Sequence, residues 1–139
     1  MKKNKRQYAT TDTIDAAIAE AVKKSSVNDE LACADATAVA VTLNKPMLEV
    51  GLALDLLEVS ITKCQLGLFG YYPQKRIVSP ARHIAPELEQ AIRERLVNGA
   101  LPCDAAWEIA EKAALHKMKV ASACEALKIK IKPCQLGTF

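Results

Sequence analysis

Apolar residues recur at helical spacing in three stretches of this chain, and the same three stretches return about 70 positions later. Ile18, Ala21 and Val22 share one face of a helix expected over 14–26, and Leu88, Ala91 and Ile92 share one over 86–97. A second helix is predicted over 31–43 and 102–113, and a third over 46–58 and 116–128. Pro46, Pro86 and Pro102 stand at the expected helix starts, where a missing N–H does no harm. Asp12 or Thr13 is the expected cap of the first helix. Asn98-Gly99 reads as a helix stop, because glycine accepts the left-handed conformation. Behind the third helix, Val59-x-Ile61 and Ile129-x-Ile131 alternate as a short extended segment would. A tail then turns at Gly67 or Gly137.

The recurrence is a tandem duplication. Residues 14–69 align on 84–139 without a gap, with roughly 17 of 56 positions identical. The strongest block is Ile61-x-x-Cys64-Gln65-Leu66-Gly67-x-Phe69 over Ile131-x-x-Cys134-Gln135-Leu136-Gly137-x-Phe139. Val27-Asn28-x-x-Leu31-x-Cys33 over Val97-Asn98-x-x-Leu101-x-Cys103 is the second. The organisation expected is a basic arm (1–13), repeat 1 (14–69), a basic linker (70–83) and repeat 2 (84–139). A unit of about 56 residues buries little surface alone, so the two copies are expected to share one core.

Charge separates the copies. The chain carries a net +3, but the arm and the linker each hold about +3, the first copy about −4 and the second about +1. Half the residues are hydrophobic and a quarter charged, the balance of a soluble globular protein. The basic start MKKNKRQYAT has no apolar segment behind it, and Val50 to Val59 is interrupted by Asp55 and Glu58. Neither a secretory signal nor a membrane span is expected, and a cytoplasmic address follows. Five cysteines with no C-x-x-C pair fit buried thiols better than a disulfide framework or a zinc ribbon.

The second and third helices carry the functional expectation. A helix-turn-helix needs an apolar and then a small residue on its first helix, a small or left-handed residue in the turn, and spaced apolar residues on its second helix. Repeat 2 offers Ile109 and Ala110, Ala113 and Ala114, Leu115, Val120 and Ala123; repeat 1 offers Val39 and Ala40, Leu43 and Asn44, Val50 and Ala53. Both stretches resemble helix-turn-helix units over about 20 residues each. The extended segment behind them is similar to that of the winged-helix variety. Ala114 stands where glycine is usual, and Lys45 where repeat 2 has Leu115. The resemblance implies an all-α fold with room for minimal β-wings, two such repeats packed as one compact unit, double-stranded DNA as partner, and transcriptional regulation as role.

On this reading the third helix of repeat 2 presents His116, Lys117, Met118, Ser122 and Glu125, flanked by Lys119 and Lys128. Lys128, Lys130 and Lys132 would share one side of an extended wing. His116, Lys117, Lys119, Ser122, Lys128 and Lys130 are therefore the candidate DNA contacts. Lys2, Lys3, Lys5 and Arg6 could form an arm along a groove, and Lys75, Arg76 and Arg82 make the linker positive. The matching face of repeat 1 is apolar and acidic. Its stripe of Leu48, Leu52 and Leu56 suits packing, a homodimer or a protein partner, and an interaction adaptor is the alternative function.

The repeated Cys-Gln-Leu-Gly suggests a third class. Cys64 and Cys134 could meet and hold a soft metal or sense redox state. No histidine recurs between the copies, though, and cysteine commonly serves as a small buried hydrophobe. Leu66, Gly67 and Phe69 read as a turn that tucks a ring into the core. Trp107, which replaces Thr37, reads as a core cap. With no glycine-rich phosphate loop, no carboxylate pair in a cleft context and no nucleophile beside a histidine base, neither an enzyme nor a cofactor is expected.

Overall fold

The computed structural model of the protein describes residues 14–72 and 75–138. Asp12, Thr13, the basic arm and Phe139 lie outside them. The elements are α1 (Ala16–Ser25), β1 (Glu30–Ala32), α2 (Cys33–Leu43), α3 (Met47–Leu56), β2 (Ser60–Thr62), α4 (Pro86–Glu94), α5 (Cys103–Ala113) and α6 (Lys117–Leu127). The described chain is mostly helical with one small two-stranded parallel sheet.

Contacts group it into two compact units. The first gathers the described residues through Cys64 together with those from Gln135 onward; the second runs from Gln65 to Cys134. Each buries large aliphatic side chains of its own. In the first unit Ile18, Val22, Leu31, Val50 and Leu54 are all but inaccessible; in the second, Ile92, Leu101, Ala106, Val120 and Ala121 are. Burying each large aliphatic side chain stabilises by about 1.5–3 kcal/mol. The repeated motif is therefore divided. Cys64 stays with its own helices, while Leu66 and Phe69 are buried in the second unit, and Leu136 and Thr138 in the first.

In the first unit α1 packs on α2 and α3, and α2 on α3. The cap of α1 is Asp15, whose Oδ1 accepts a 3.0 Å hydrogen bond from the Ile18 amide. That bond, with the Lys45 ammonium 3.2 Å away, holds the carboxyl below the ordinary aspartate range. Lys45, polar where repeat 2 has leucine, thus ties the turn after α2 to the start of α1. In the second unit α4 packs on α5 and α6, and α5 on α6. Pro86 opens α4 as expected.

Two local expectations change. Asn98-Gly99 does not end α4, which stops at Glu94. Both residues have positive φ, 51° and 80°, and the amides and carbonyls of Val97 and Ala100 bond reciprocally across them. This is the geometry of a two-residue hairpin turn, which Asn-Gly favours more than it favours a helix end. Asn28-Asp29 makes the same turn between Val27 and Glu30.

The extended segment after the third helix is also no wing hairpin. β2 pairs in parallel with β1, Leu31 opposite Ile61. The second unit repeats that pairing as a single bridge, Leu101 opposite Ile131. Leu31, Ile61, Leu101 and Ile131 are all buried, so the alternation serves the core. Positive-φ positions recur with the same offset, at Asn44 and Ala114, Glu58 and Lys128, and Gly67 and Gly137.

Candidate nucleic-acid interface

The site sits in the second unit at the start of α6. Its position follows from the turn between α5 and α6. Ala114 adopts φ 57° and ψ 42°, its amide bonds to the Glu111 carbonyl, and the Leu115 amide reaches back to Ala110. Asn44 and Lys45 make the same closure after α2. This left-handed cap turns the chain sharply, so α6 begins three residues after α5 ends. Val120, Ala121, Ala123 and Cys124 form the inner face of α6 and are buried. Burial pushes the Cys124 thiol up to about 11, and the adjacent Glu125 carboxylate adds to the shift.

At this end of α6 lies an open cleft of about 960 Å³. Its basic lining is Arg82, His83, His116, Lys117 and Lys119, and no acidic residue contributes. Gln65 and Ser122 add neutral polar groups; Leu88, Leu115 and Met118 are among the apolar part. Lys117 Nζ lies 4.8 Å from the centroid of the Trp107 ring. The half-buried Trp107 thus steers a cation as well as packing, which its position in the sequence did not signal.

Among the sequence candidates, the fold brings His116, Lys117, Lys119 and Ser122 to one cleft. Lys128 and Lys130 it does not. Lys128 caps the far end of α6, about 16 Å along the axis from its start. Lys130 belongs to the backbone bridge, its carbonyl accepting from the Leu101 amide at 2.9 Å. Arg82 and His83, read from sequence only as linker charge or not at all, form part of the cleft instead.

The outward face of α6 is less open than the sequence suggested. The linker lies along it. Arg76 pairs with Glu125, and the Ala81 amide donates to the Ser122 carbonyl at 3.0 Å. The amides of Ile77 and Val78 both donate to the Gly67 carbonyl, at 2.9 and 3.2 Å. Gly67 itself has φ +76°, and a Cβ there would sit 3.3 Å from both Ile77 Cγ1 and Met118 Sδ. The glycine of the repeated motif thus lets the linker approach the helix.

The equivalent stretch of the first unit has Pro46, Met47, Leu48 and Glu49 in place of His116, Lys117, Met118 and Lys119. Leu48 is 60 % exposed and Val41, on α2, is 75 % exposed, while Leu52 and Leu56 are half-buried. Leu48 is therefore left uncovered by the described residues. The five cysteines are buried thiols. Among the described residues no group of three metal-ligating side chains forms, and no helix is long and apolar enough to cross a membrane. No family model, curated protein or solved structure matches this chain significantly.

Proposed function

We propose that the chain is a DNA-binding protein in which α5 and α6 act as a helix-turn-helix and the start of α6 carries the contacts. Transcriptional regulation is the role this reading implies. One observation carries it: three cationic side chains and two imidazoles, with no acidic neighbour in the lining, converge at the start of a helix held by a left-handed turn. Positive side chains and helix N-terminal amides together suit phosphate oxygens. The turn at Ala114 further supports it, since a helix-turn-helix requires that conformation there.

The test is fluorescence anisotropy with a labelled duplex across a salt series. The wild type should bind, with log affinity falling linearly against log salt. Lys117→Glu with Lys119→Glu should weaken binding by at least tenfold and lower the salt slope by about two. Reversing Lys45 or Lys63 should change it little. Absence of salt-sensitive affinity for duplex DNA would remove the reading.

A second reading is favoured by a different observation, the exposure of Val41 and Leu48 on α2 and α3. On that reading the first unit offers these residues to a protein partner or a second copy of the chain. Leu48→Asp should then abolish self-association in sedimentation, or partner capture, without lowering the melting temperature.

A further inference from the structure

The linker contributes one wall of the cleft and also lies on the outward face of α6. Those two facts bear on how DNA would be held. Resting on the DNA-binding reading above, we propose that the cleft grips the phosphodiester backbone between Arg82 and His83 of the linker and His116, Lys117 and Lys119 of the helix. The contact is made by charge and does not read base edges.

Base reading requires side chains on the outward face of a recognition helix to enter the major groove. Here the linker covers part of that face: the Ala81 amide donates to the Ser122 backbone carbonyl, Glu125 is paired with Arg76, and Met118 lies against the site of Gly67. What remains accessible carries the charge: Lys119 and Arg82 are exposed, Lys117 is half-exposed over Trp107, and the imidazoles of His116 and His83 are exposed beside them. Arg82, Lys117 and Lys119 present donors of fixed positive charge and no acceptor, which suits phosphate oxygens. Regulation through such a contact acts by occupying DNA and not by recognising an operator.

The experiment measures affinity for three duplexes of equal length and unrelated sequence, using wild type, Arg82→Ala and Met118→Ala. Wild type should bind all three within about threefold of one another. Arg82→Ala, at an exposed position that should not disturb folding, should weaken binding several-fold by the same factor on each duplex. It should also lower the salt slope by about one. Met118→Ala should leave the relative affinities unchanged. A tenfold or greater preference for one duplex, or an Arg82→Ala variant indistinguishable from wild type on all three, overturns the inference while the DNA-binding reading stands. Failure of the wild type to bind any duplex overturns both.

Discussion

Ala114 holds the left-handed conformation at φ 57°, where an L side chain with a Cβ is disfavoured by roughly 1–2 kcal/mol. The same turn in the first unit uses Asn44, whose side chain tolerates that region better. The alanine is exposed, so no packing compensates it. Ala114→Gly should therefore raise stability by about 0.5–1 kcal/mol in denaturant unfolding, the relief of strain outweighing the added freedom of the unfolded chain. A decrease would mean that the methyl group packs usefully. Cys124 gives a pH prediction. Its thiol is raised in the folded state, so the folded protein keeps a proton that the unfolded chain releases first. Stability from this group is complete below about pH 9 and is lost as pH rises towards about 11, at up to 1.4 kcal/mol per pH unit. Cys124→Ser should flatten that alkaline decline, and in the wild type the thiol should resist alkylation at pH 8.

At the scale of elements, the decisive feature is a segment with no regular structure of its own. Residues 76–81 are held by backbone bonds to Gly67 and to Ser122 of α6 and by an ion pair to Glu125 of α6. Gly67→Ala adds a methyl group at positive φ, against Ile77 and Met118, and should cost about 1–3 kcal/mol. The amides of Ile77 and Val78 should then lose protection from hydrogen exchange before those of α5 do. Equal loss across the unit would show that the linker is an integral part of the core. The helices themselves were legible. Their order and period followed from apolar spacing, and Pro86 marked the start of α4 to the residue. Less legible was where α4 stops, because Asn-Gly favours both a helix end and a hairpin turn, and Val97 and Ala100 decide between them by bonding to each other.

For the whole molecule, each compact unit is completed by the tail of the opposite repeat. Leu136 and Thr138 are buried in the first unit, Leu66 and Phe69 in the second. Leu136→Ala should destabilise the first unit by about 2–5 kcal/mol, through lost burial and the cavity left behind. Hydrogen exchange should report it in α1–α3, with α4–α6 nearly unaffected. The opposite pattern, loss confined to α4–α6, would contradict the exchange of tails. Leu66→Ala should give the mirror result.

By itself the sequence determined the duplication, the helical class and order, the left-handed position at Asn44, and the asymmetry of charge between the repeats. All of these depend on residues close together in the chain, where period, turn chemistry and composition act locally. Tertiary structure decided the rest: which repeat each tail completes, that Val59-x-Ile61 pairs in parallel with β1, and that the linker lies on α6 and brings Arg82 and His83 beside Lys119. An alternating segment carries no mark of its pairing partner. A hydrophobic tail fits equivalent cores equally well by composition, and the net charge of a linker does not say against which helix it folds. Those choices are settled by which long-range burial closes a core with least strain, and this energy is not visible in any short window of residues.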